Sequence, residues 1–340
     1  MPLFLYGQSA LELTRHLRAV NDGSLPGVVV RPRNLSRAVN KTSQVKQLPH
    51  RAQLMLSHVT QPMHVMVAER SQHVHSKSLE THLWSGELPS GSFINLGNGI
   101  YLPTPAFLFL QLAVIRDELA LTQIGLELCG HYSMWRLPGP RASVSQLDEF
   151  AEPTYFLRPA LGVQQLTAFL ERMVNVRGHV RACAAAKRVL DHSASPMESA
   201  VYLLLCLPRS KGGRGLPSPV LNARVNVNTS EGTVQRYPDL FWPRASGNSV
   251  DVEYQSDLGH QGEANRHRDS RRAIELEGEN VSVLHLTSAQ IMDSDGFNEF
   301  ANSLRRMLGV RTRPLPNDWD SRYLALRERL LPEDRFWASR

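Results

Sequence analysis

The chain has 340 residues, 42% of them hydrophobic, which is enough to bury a sizeable core and to build two domains. Its formal net charge of +6 permits nucleic-acid binding without requiring it. No segment is apolar for long enough to span a membrane, and the start lacks the basic region of a signal peptide. Three scattered cysteines, Cys129, Cys183 and Cys206, suit reduced thiols, so a cytoplasmic location is expected.

In chain order, Leu11, Leu13, Leu17 and Val20 predict a helix over 7–20, with Ser9 as its N-cap and a stop at Asn21-Asp22-Gly23. Alternation predicts strands over 63–68, 79–84 and 93–96. Gly97-Asn98-Gly99 is a hairpin signal, and Pro105 opens a helix expected from about Ala106 to Leu121. His64, His73, His75 and His82 fall close together, but no carboxylate or cysteine stands out to complete a ligand set. A structural or surface role is expected for them.

Two helices are expected near 163–174 and 180–190. Ser195, Pro196 and Glu198 have the spacing of an N-cap, N1 and N3 ahead of an apolar run from Ala200 to Leu207. Residues 209–215 read as a flexible basic loop carrying Lys211 and Arg214, and 220–227 as a strand. A hairpin follows, with strands over 238–242 and 250–255 joined by turn residues. A charged helix over 263–277, an apolar strand from Val281, a helix over 297–308 and a last helix near 321–331 complete the chain.

The hairpin is where chemistry concentrates. It brings Asp239 and Glu253 toward each other at its open end. Two carboxylates that close repel unless a divalent cation lies between them, so this pair points to a Mg²⁺ (or Mn²⁺) site. The alternatives are plain structural roles: Glu198 as a capping residue, Glu253 and Arg272 as an ion pair, and Asp269 with Arg272 as a helical i, i+3 pair.

The order of Glu198 on a helix, Pro238-Asp239 on a strand, Glu253-Tyr254 on the next, then His260, Asp269 to Arg272 and the strand from Val281 resembles the PD-(D/E)XK nuclease superfamily. It most resembles the branch related to the very-short-patch-repair endonuclease. The resemblance covers roughly 195–310, and the N-terminal part is similar to abortive-infection antitoxin regulators in two-domain actinobacterial proteins.

The resemblance implies an α/β fold. A mixed sheet flanked by helices, restriction-endonuclease-like, would form the C-terminal half, with a smaller α+β domain before it. It divides the chain into a DNA- or partner-binding domain over 1–150, a helical connector over 151–194, the endonuclease-like domain over 195–310 and a tail with a short helix over 311–340. It further implies that Asp239, Glu253, the Tyr254 carbonyl and Glu198 hold the metal. His260 would act as general base or steer the attacking water, and Lys211, Arg214, Arg266, Arg268, Arg271 and Arg272 would meet DNA phosphates. Gln255 stands where superfamily members carry a catalytic lysine, and a neutral amide supplies neither positive charge nor a titrating amine.

Three functions are compatible with this pattern: a metal-dependent DNA endonuclease in repair or phage defence, a catalytically weak or inactive DNA-binding regulator or antitoxin on the same scaffold, and an interaction module for a toxin or other defence protein. Asp239, Glu253 and Glu198 favour the first, and Gln255 favours the others.

Overall fold

Strand β1 (Leu3–Phe4) leads directly into helix α1 (Gly7–Val20), whose Ala10, Leu11, Leu13 and Leu17 turn inward. The computed structural model describes residues 1–32, 34–135, 153–229, 232–245, 247–255, 274–312 and 314–331. The chain divides into two units, Met1–Asp191 and His192–Arg340. Both combine sheets with flanking helices, a mixed α/β organisation.

The first unit continues through β2 (Val28–Val30), α2 (Thr42–Lys46), α3 (His50–Leu56), β3 (Met63–Val67), β4 (Leu79–Leu83), β5 (Phe93–Gly97) and β6 (Ile100–Pro103). Its four-stranded sheet has the order β1-β6-β5-β2, and β3 pairs in parallel with β4. The Gly97-Asn98-Gly99 turn joins β5 to β6 as expected, with positive φ at all three residues. Ser9 is not the cap of α1. Tyr6 occupies that position, and the Ser9 hydroxyl instead accepts the His64 amide at 2.8 Å.

The helix expected over 106–121 is two helices, α4 (Pro105–Leu112) and α5 (Glu118–Leu128). Every residue of α4 is buried, so its sequence carries no amphipathic period to mark its end. Asp117 caps α5 by accepting from the Ala120 amide at 2.9 Å. Helices α6 (Val163–Glu171) and α7 (His179–Ala186) are not a connector. Leu166, Phe169, Leu170, Ala182 and Ala185 belong to the core of the first unit, and removing apolar side chains of that kind from water stabilises by about 1.5–3 kcal/mol each for the larger ones.

In the second unit, α8 (Pro196–Cys206) begins at the Ser195 cap, whose hydroxyl accepts the Glu198 amide at 3.1 Å. The expected strand over 220–227 is interrupted. β7 (Val220–Leu221) joins the main sheet, and β8 (Val225–Thr229) forms a separate antiparallel pair with β9 (Gly232–Arg236). The break falls at Asn222, whose φ of 46° is left-handed, a conformation asparagine tolerates better than most residues. β10 (Leu240–Trp242), β11 (Ser249–Gln255) and β12 (Val281–Thr287) complete a sheet of order β12-β11-β10-β7, antiparallel except for β11 and β12.

Helices Ser288–Met292 and Ser294–Met307 follow β12. The last helix, expected near 321–331, spans Trp319–Leu330: Trp319, Tyr323, Leu326 and Leu330 are buried, and it packs on α8. The 209–215 segment is not a flexible loop either. A Cβ at Gly213 would run into the Leu207 carbonyl, and the Trp319 indole donates to the Gly213 carbonyl at 3.1 Å.

Candidate functional site

Strand alternation decides which side chains meet. Leu240 pairs with Val252 and Phe241 with Asp251, so one step further Asp239 lies opposite Glu253. Asp239, Asp251, Glu253 and Gln255 therefore share one face of the sheet. The parallel register adds His285, the partner of Glu253 on β12. The group sits at the carboxyl ends of the parallel strands β11 and β12, the usual place for a binding crevice in α/β sheets.

Glu198 arrives from the other side, at the first turn of α8. It is 6% exposed. Its Oε2 accepts the Ala194 amide at 2.9 Å and the Asn222 side-chain amide at 2.7 Å. The capping expected of Glu198 is thus real, but it reaches Ala194, one residue before the N-cap. Asn222 lies opposite Asp239 across the β7–β10 edge, and its backbone amide donates to the Asp239 carbonyl at 3.0 Å. Burial, and then the charge of Asp239, push the Glu198 carboxyl far above the ordinary carboxylate range, to about 8. This direction favours a protonated Glu198 carboxyl near neutral pH.

Asp239 itself is half-buried, and its Oδ2 accepts the Tyr254 amide at 2.9 Å. Glu253 is also half-buried, while Gln255 and His285 are exposed at the rim. The Gln255 amide nitrogen is 3.0 Å from Nδ1 of His285, so a neutral amide pairs with an imidazole at the rim.

Sequence reasoning passed over Asn222, Asp251 and His285. Asp251 is fully buried, two residues before Glu253 on the same face, so the i, i+2 spacing already pointed to it. His285 had no signal, because the β11–β12 register alone brings it to Glu253.

Arg214 packs against aromatic rings. Its guanidinium lies 4.4 Å from the Trp319 ring centroid and 4.6 Å from that of Tyr323, with Nε and Nη2 buried. Lys211 is exposed at the end of a short turn. His260, Arg266, Arg268, Arg271 and Arg272 lie outside the described residues, as does most of the charged helix expected over 263–277.

Glu198, Asp239 and Glu253 gather at one end of the sheet without closing into a tight triad. Among the described residues, the group of three ligand-bearing side chains whose donor atoms all lie within 4.8 Å of one another is elsewhere, at His64, Glu80 and His82.

A scan of protein-family models, a search of curated proteins and a search of solved structures each return no match to this chain. No helix among the described residues is long and apolar enough to cross a membrane.

Proposed function

We propose that the second unit is a restriction-endonuclease-like domain that hydrolyses phosphodiester bonds in DNA with Mg²⁺ or Mn²⁺. The observation that carries this reading is the meeting of Glu198, from the first turn of α8, with Asp239, which lies across the sheet from Glu253. Carboxylates and a backbone carbonyl are the hard oxygen donors that such ions take, and an acid held protonated first by burial and then by its acidic neighbour is a donor set without its counter-charge.

Asp239, Glu253 and the Tyr254 carbonyl would hold the ion, with Glu198 behind them. Bound there, it would polarise the phosphodiester and lower the pKa of the attacking water. Asn222 keeps the Glu198 carboxyl turned toward Asp239. Gln255 and His285 at the rim orient water by hydrogen bonds, and His260 is the proposed base. Lys211 and the arginines 266, 268, 271 and 272 supply the salt-dependent attraction to DNA.

The Gln255–His285 pair favours a second reading, in which the same scaffold binds DNA as a weak or inactive regulator, with a toxin or other defence protein as partner. Only the nuclease reading requires the acidic site to bind a metal, and thermal unfolding tests that first. Millimolar Mg²⁺, which imidazole groups bind poorly, should raise the melting temperature of the full chain. Asp239→Asn should remove that shift. An identical melting curve with and without Mg²⁺ removes the support for a metal-dependent nuclease.

A further inference from the structure

The geometry points to a second metal site in the first unit, where His64, Glu80 and His82 bind a divalent transition-metal ion of the Zn²⁺ type. The parallel register of β3 and β4 sets His64 opposite Glu80, and His82 follows two residues later on the same face. Nδ1 of His64 and Nε2 of His82 are 2.8 Å apart, and Oε2 of Glu80 is 4.0 Å from the former. Ligand atoms at about 2.0–2.1 Å from a tetrahedral ion stand a little over 3 Å from one another, so shifts within about 1 Å convert this cluster into a coordination shell.

The surroundings hold the ligands in place. The Tyr6 ring stacks on His82 with centroids 4.3 Å apart, and the His64 backbone is fixed on both sides, by the Ser9 hydroxyl and by the Tyr6 amide. The cluster is reachable: the His64 and Glu80 side chains are 23% and 29% exposed. His75 borders its open side, with Nδ1 3.6 Å from Oε2 of Glu80. Two imidazoles and one carboxylate select Zn²⁺ and its neighbours over Mg²⁺, and three protein ligands leave a position for water. This chemistry differs from the all-oxygen set of the second unit, so the two sites take different ions.

Calorimetric titration of the full chain with a Zn²⁺ salt tests the proposal. A single tight Zn²⁺ is expected. It should weaken more than about tenfold in His82→Gln and in Glu80→Gln, and persist in the Asp239→Asn/Glu253→Gln double variant. Undiminished binding in His82→Gln or Glu80→Gln, loss in the double variant, or no Zn²⁺ uptake by the wild type overturns it. Co²⁺ uptake by the wild type gives a readout that needs no variant. An intense visible band of four- or five-coordinate Co²⁺ is expected, and the faint band of an octahedral aquo ion contradicts the site.

Discussion

The side-chain amide of Asn222 donates to Oε2 of Glu198 at 2.7 Å, and this bond turns a helix-capping carboxyl toward the end of the sheet. The same amide nitrogen also donates to the His192 carbonyl at 2.9 Å. Asn222, in the break between β7 and β8, thereby links the start of α8 to Asp239. Asn222→Ala should cost about 1–3 kcal/mol, the usual penalty for stripping a buried group of a hydrogen-bond partner. Urea unfolding of the variant checks this, and a cost near zero would mean that the bond does not hold Glu198.

Stability should depend on pH through Glu198. Its folded pKa of about 8 lies above the ordinary value of 4.5, so the folded state holds a proton that the unfolded chain has released. The contribution is full below about pH 4.5 and is lost as pH rises toward 8. With a chelator present, Glu198→Gln keeps an amide oxygen to accept from Ala194 and Asn222 but cannot titrate. The wild type should therefore lose stability relative to Glu198→Gln between pH 5 and pH 8. Parallel curves for the two proteins across that range would place the proton elsewhere.

Arg214 should matter for folding and not for DNA. Stacked on Trp319 and Tyr323, its guanidinium and stem join the last helix to the 209–215 segment. Arg214→Ala should destabilise the chain by about 1–2 kcal/mol. The salt dependence of any DNA binding should stay as in the wild type, whereas Lys211→Ala should flatten it. A flatter salt slope in Arg214→Ala would return this residue to the phosphate track.

Much of the local structure was legible because it follows local rules. The Ser195-Pro196-Glu198 start of α8 and the strands at 63–67, 79–83 and 281–287 announce themselves by capping residues and alternation. The opposition of Asp239 and Glu253 follows from a hairpin register. What escaped notice depends on contacts distant in sequence. The join of His285 to Gln255 exists only once β12 has taken its place beside β11. Glu80 becomes a partner for His64 only through the β3–β4 register. The end of α4 is hidden because a helix buried on all sides shows no face. The packing of Arg214 on Trp319 and Tyr323 was hidden because both rings are distant along the chain.

The most direct test of the nuclease reading is nicking of supercoiled plasmid by Gln255→Lys, by the wild type and by Gln255→Lys/Glu253→Ala, each with Mg²⁺ or Mn²⁺. A lysine at 255, on the same face as Glu253, places a positive charge where Gln255 has a neutral amide. The account predicts slow metal-dependent nicking by the wild type, a rise on the order of 10²-fold in Gln255→Lys, and none once Glu253 is removed. Full-length folded protein that binds DNA yet leaves the plasmid intact, both as wild type and as Gln255→Lys, would contradict it.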